Sequence, residues 1–111
     1  MKTDRELLEL AAKAAGIEIH GWFGDETGKE IADIGPDETV WWNPLADDGD
    51  ALRLAVKLGI EIQFFYSWTA YAGPRKTAKY AVDIKDGADI FAATRRAITR
   101  AAAAIGEQEK Q

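Results

Sequence analysis

Pro44 is the fixed point of this chain. It stands in the run Trp41-Trp42-Asn43-Pro44-Leu45-Ala46-Asp47-Asp48-Gly49-Asp50, directly ahead of a helical pattern over residues 51–58. A proline lacks a backbone donor and drives the residue before it into an extended conformation, so the chain turns after Asn43. Asp47 suits the N-cap, and Asp50 three positions on repeats the acid of a capping box. Asp47, Asp48 and Asp50 all sit at the positive end of the helix dipole. The plain reading is that the acids cap and the tryptophans pack. It leaves a surplus, because Thr3 and Asp86 start the other helices with no tryptophan beside them. That surplus marks Trp41, Trp42, Asn43, Asp47, Asp48 and Asp50 as a candidate binding surface. Arg53 on the same helix and Arg95 and Arg96 on the last helix complete the set.

The rest of the chain follows from periodicity. Thr3-Asp4-Arg5-Glu6 is a capping box, and Leu7, Leu10, Ala11 and Ala14 make one narrow apolar face behind it. Gly16 is the expected stop. Ile17-Glu18-Ile19-His20 alternates as a strand that should reach Phe23, and residues 24–28 read as a turn. Residues 29–34 return as a strand until Gly35-Pro36-Asp37, and Val40-Trp41-Trp42 adds a short third. In the second helix Ala51, Leu54, Ala55 and Leu58 face the core, helped by Leu52, while Asp50, Arg53 and Lys57 form the polar stripe. Gly59 ends it. Alternation then predicts a strand over 60–68, a loop carrying Gly73-Pro74-Arg75-Lys76, and an antiparallel partner strand over 77–85. The last helix should begin near Asp86-Gly87-Ala88-Asp89, bury Ile90, Thr94, Ala97, Ile98, Ala101 and Ile105, and stop at Gly106.

These elements define an α+β domain: a single small α/β sandwich, with helices near 3–15, 48–58 and 87–105 and a mainly antiparallel sheet. It spans residues 1–106, with 107–111 as a frayed tail. At 111 residues, 47% hydrophobic and 30% charged, the chain has the size and composition of one soluble domain.

Charge and composition narrow the chemistry. The net charge of −5 argues against duplex nucleic acid, whose binding depends on cations displacing counterions. With no cysteine and one histidine, the chain offers no disulfide, thiol nucleophile or soft-metal site. The spacing of Asp47, Asp48 and Asp50 does not fit a calcium loop. His20 has no neighbour in sequence to orient it and reads as a surface histidine. Neither a leader-type apolar run nor the roughly 20 apolar residues of a membrane span is present, so a cytoplasmic location is expected. No catalytic residue, metal ligand or cofactor is expected. Arg95, Arg96 and Arg100 form a cationic flank, and Arg75, Lys76 and Lys79 add cations on a loop. Beside Trp41, Trp42 or Trp68 such cations would hold a nucleotide, the aromatics stacking the base and the arginines gripping phosphate.

The run Trp42-Asn43-Pro44-Leu45-Ala46-Asp47-Asp48-Gly49-Asp50-Ala51-Leu52-Arg53-Leu54-Ala55-Val56-Lys57-Leu58-Gly59 resembles the central motif of the small NinX-like phage proteins, which overlap with the phage α–β–α sandwich group. The opening helix with its isoleucine strand, and Ala93-Thr94-Arg95-Arg96-Ala97-Ile98, extend the likeness over most of the chain. Members usually carry Thr where Ala46 stands, which removes one capping hydroxyl. The resemblance implies a phage or prophage origin, a small accessory protein of the bacterial host cytoplasm and an α/β sandwich, and transfers no catalytic residue. Three functional classes follow. The first is a non-catalytic binding module for a host or phage protein, anchored by exposed tryptophans. The second is a sponge for a small nucleotide-derived signal, and the third a small enzyme.

Overall fold

The capping box forms as its residue types dictate. The Thr3 hydroxyl accepts the Glu6 N–H and the Glu6 carboxylate accepts the Thr3 N–H, both at 3.1 Å. This opens α1 (Asp4–Ala15). A computed structural model of the chain describes residues 2–24, 30–65, 69–74, 80–83 and 89–108, the side chains of 63–65, 69–74 and 80–83 excepted. In chain order the remaining elements are β1 (Gly21–Gly24), β2 (Glu30–Asp33), β3 (Trp41–Trp42), α2 (Asp48–Leu58), β4 (Ile60–Phe65), β5 (Thr69–Pro74), β6 (Tyr80–Asp83) and α3 (Ile90–Gln108). The fold is α+β, and among the described residues every strand pair is antiparallel.

Both α1 and α2 end on a glycine in the left-handed region, Gly16 at φ +70° and Gly59 at φ +66°. An L side chain rarely adopts this conformation, so the residue type sets the stop. Gly106 behaves differently. It lies inside α3, which runs on to Gln108, and is buried. A Cβ there would collide with the Leu10 carbonyl of α1. Its smallness therefore serves the approach of two helices, and it does not terminate α3 as the sequence reading expected. Glu107 and Gln108 are correspondingly helical, although 107–111 were assigned to a frayed tail.

The described strands fall into two sheets, β1-β2-β3 and β4-β5-β6. In the second, β5 lies between β4 and β6, so the expected direct pairing of β4 with the strand near 77–85 is replaced by pairing through β5. The alternation of 60–68 hid this, since the run crosses the end of β4 at Phe65. Gly73-Pro74 looked like a loop but closes β5, where Pro74 faces Ile60 at the last position of the ladder. A proline is tolerated at a strand end because its missing donor breaks no interior rung.

α3 is the element that the others share: it packs against α1, α2 and the β4-β5-β6 sheet. Its buried residues are correspondingly small, with Ala93, Ala97, Thr99, Ala101, Ala102 and Ala103 among them. Only part of the expected stripe is fully buried, because a helix covered on several sides has no single apolar face. α1 shows the same effect. It buries Leu8, Ala12 and Ala15 besides Leu7, Leu10 and Ala11, while Ala14 is half-buried. The core joins these helices to Ala32, Trp42, Ala51, Leu54, Ala55 and Ile60. Ile17 and Ile19 pack on it from the link between α1 and β1, where a strand was expected from residue 17. Two residues of α2 depart from expectation. Leu52 is 59% exposed and stays out of the core, whereas Asp50, assigned to the polar stripe, is buried. No helix among the described residues is long and apolar enough to cross a membrane.

Candidate functional site

Strand geometry decides the fate of the two tryptophans. Successive side chains of a strand point to opposite faces. The register aligns Trp22, Ala32 and Trp42 across the first sheet, and Gly21, Asp33 and Trp41 across the next row. The first row turns inward: Ala32 is fully buried and Trp42 is 4% exposed, with Trp22 packed partly against the core. Trp41 therefore points out and is 52% exposed. On the same outer face Phe23, also 52% exposed, meets Trp41 edge to face, with ring centroids 5.0 Å apart and planes at 87°. Trp42 is thus a core residue beyond the reach of a docking partner, while Trp41 is presented.

The turn that follows is held by its own polar groups. The Asn43 side-chain oxygen accepts the Leu45 N–H at 3.0 Å, and its backbone oxygen accepts Ala46 and Asp47 N–H. The Asn43 amide also donates to the Glu30 carbonyl at 3.2 Å. Asp47 is the N-cap of α2, accepting the Asp50 N–H at 2.8 Å. The buried Asp50 carboxylate takes the Asn43 N–H on one oxygen at 2.9 Å and the Arg53 guanidinium on the other at 2.7 Å. Arg53 also lies 3.8 Å from Asp47. Buried polar groups must be paired, and here each is.

Asp48 points away from this group and meets Arg95 of α3 at 2.6 Å. Arg95 also donates its Nε to the Leu45 carbonyl at 3.0 Å, so it bolts the turn onto α3. Arg96 forks onto Asp4 at the start of α1, at 3.1 and 3.4 Å. Asp48 thus parts from Asp47 and Asp50, which share Arg53. Among the described residues no group of acidic or histidine side chains is assembled to hold a metal ion.

The structure therefore divides the sequence-derived set. Asn43, Asp47, Asp50 and Arg53 form one network, Asp48 and Arg95 a second, and Arg96 a third contact. Trp42 is in the core, and Trp41 meets Phe23 on the outer face. Asn43, Arg95 and Arg96 meet again around a cavity of about 670 Å³, whose walls also carry Asp4, Arg5 and Glu30. Arg5 pairs with Glu30 at 3.1 Å and lies over the Trp22 ring, 4.6 Å from its centroid. Neither Trp41 nor Trp42 is among the residues that line this cavity. Trp68, Arg75, Lys76 and Lys79 lie outside the described residues.

Sequence reasoning missed Phe23, Arg5 and Asp33. Phe23 was signalled by its two-residue offset from Gly21 once the register with Trp41 is known. Arg5 gave no signal, because it was absorbed into the capping box. Asp33 templates the loop between β2 and β3. One carboxylate oxygen accepts the N–H groups of Gly35 and Val40, each at 3.0 Å, and these bonds hold the carboxyl below the usual aspartate range. Comparison with family models, with curated proteins and with solved structures gives no match to this chain.

Proposed function

We propose that this chain is a non-catalytic binding module, a phage or prophage accessory protein acting in the bacterial cytoplasm on a host or phage protein. The observation behind this reading is the Phe23–Trp41 pair, two half-exposed rings locked edge to face on the outer side of β1-β2-β3. Val40, 48% exposed, is next to Trp41 in the chain and adds apolar area. Pre-oriented aromatic groups lose little freedom on docking and supply the anchors of protein interfaces. The acids of the central motif are engaged in capping and in ion pairs, which favours binding over catalysis. The NinX-like resemblance of that motif supports the phage origin.

A second reading, a sponge for a small nucleotide-derived signal, is favoured by the cavity that Arg5, Arg95 and Arg96 share. A phosphate would compete with Glu30 for Arg5 and with Asp4 for Arg96. The test exposes immobilised protein to host lysate and to a panel of linear and cyclic nucleotides. Folded Trp41→Ala and Phe23→Ala variants should lose a protein partner that wild type and Arg96→Ala retain. Nucleotide capture lost in Arg5→Ala and Arg96→Ala, without turnover, would select the sponge. Turnover of a nucleotide would defeat both readings.

A further inference from the structure

The Phe23–Trp41 pair stands on an acidic face. The Phe23 ring leans over Gly21, its Cε2 3.8 Å from the place a Cβ there would take, and so reaches across β2 to Trp41. Asp33 lies on the strand between them. It pairs with Gly21 on one side and Trp41 on the other, and alternation puts its side chain on their outer face. The N–H groups of Gly35 and Val40 hold its carboxyl below the usual range, so it is charged at neutral pH. The loop that Asp33 templates is closed at the end of the sheet by the Ile34 N–H, which donates to the Val40 carbonyl at 2.9 Å. That loop carries Asp37 and Glu38, both exposed, just ahead of Trp41. Among the described residues from 17 to 42 the charged side chains are Glu18, Glu30, Asp33, Asp37 and Glu38, with neither lysine nor arginine. Glu30 is answered by Arg5, which approaches from the Trp22 side.

We propose that this face docks a cationic segment of the partner protein, with an apolar side chain of the segment on the Phe23–Trp41 pair and its lysines or arginines toward Asp33, Asp37 and Glu38. The proposal rests on the binding-module reading and names the chemistry of the partner. Charge selects among the occupants. A second copy meeting this face with its own would set Asp37 and Glu38 against the same acids. Nucleic acid, or any ligand that presents phosphate, would meet the same repulsion. An uncharged apolar surface would cover the rings and Val40 but strip water from the carboxylates with no opposite charge in its place. A basic segment answers both the aromatic area and the negative field. Exposed charges of this kind also steer the encounter from a distance, and salt screens them.

The test titrates short labelled peptides with the full chain and follows their fluorescence anisotropy. The peptides alternate leucine with arginine, with glutamine or with glutamate. The arginine peptide should bind about tenfold or more tightly than the glutamine peptide, and the glutamate peptide should not bind. Trp41→Ala and Phe23→Ala should each weaken the arginine peptide about tenfold. Asp37→Asn combined with Glu38→Gln should weaken it about threefold or more and flatten its dependence on salt. Glu9→Gln combined with Glu107→Gln removes the same charge from exposed positions on α1 and α3 and should leave it unchanged. All these positions are exposed, so circular dichroism spectra should match wild type. Peptides that bind equally well, yet are all lost in the aromatic variants, would overturn this inference and leave the binding-module reading standing. So would an arginine peptide that does not bind, or that the two acid-to-amide pairs weaken alike. Wild-type affinity for the arginine peptide in both aromatic variants would remove the shared anchor and defeat the inference and the reading together.

Discussion

The Asp50 carboxylate accepts the backbone N–H of Asn43 at 2.9 Å, seven residues back along the chain. It thereby closes the Asn-Pro turn onto the first turn of α2. The other oxygen is held by Arg53. Asp50→Ala leaves the buried Asn43 N–H without its acceptor and should cost about 1–3 kcal/mol. Asp50→Asn keeps one acceptor oxygen and should cost less. Urea midpoints of the two variants check the order, and equal losses would contradict it.

The cap itself is a separate and smaller term. Asp47 accepts only the N–H at the start of α2 and a distant contact from Arg53. Asp47→Ala should lower stability by about 1 kcal/mol, and Asp47→Ser should restore most of it. Asp48→Ala, which removes an exposed ion pair with Arg95, should fall within about 1 kcal/mol of wild type. Chemical denaturation of the three variants separates cap from pair.

Gly106 should tolerate no side chain. Alanine, ordinarily the better helix former, would drive its methyl into the Leu10 carbonyl. Gly106→Ala is therefore expected to destabilise by about 1–3 kcal/mol or more, the usual cost of overpacking. A thermal melt that rises instead would mean that α1 and α3 separate freely.

Acid should weaken the fold through Asp33 and Glu6. N–H groups of Gly35 and Val40 depress Asp33, and the backbone and hydroxyl of Thr3 depress Glu6. A carboxyl with a lowered folded pKa binds its proton more readily in the unfolded chain. Its contribution is complete above the unfolded value, near pH 4, and drains away as pH falls through the depressed folded value. Denaturation midpoints between pH 6 and pH 2 should fall more gently in Asp33→Asn than in wild type. Identical slopes would remove Asp33 from the account.

Adjacent tryptophans should behave oppositely. Trp42→Ala empties a buried site and should cost about 3–5 kcal/mol. Trp41→Ala should cost far less stability and remove partner capture. If both variants unfold at the same denaturant concentration, the inward and outward assignment of the two rings is wrong.

Caps, stops and helix positions were legible because each rests on local chemistry: Thr3 with Glu6, Asp47, Gly16 and Gly59. So was the α+β class. What sequence reasoning could not reach depended on partners far along the chain. Trp41 and Trp42 are equivalent as residues, and only the register with Asp33 and Ala32 tells them apart. Asp50 reads as a solvated acid until the Asn-Pro turn brings Asn43 over it. Arg95 looked like part of an exposed flank, yet its side chain is 16% exposed and grips Leu45, fifty positions away. Gly106 carried the wrong meaning because a helix stop and a close helix crossing call for the same residue.

The central place of α3 also bears on how the protein comes into being. Chains emerge from the ribosome at about 5–20 residues per second, amino end first. The helix on which α1, α2 and the second sheet all rest is the last of these elements to appear. Until it arrives, Leu8, Trp42 and Leu54 have no completed core to enter. The nascent chain must therefore carry this apolar surface uncovered until α3 has emerged, and a ribosome stalled before residue 90 holds a chain that a chaperone can grasp.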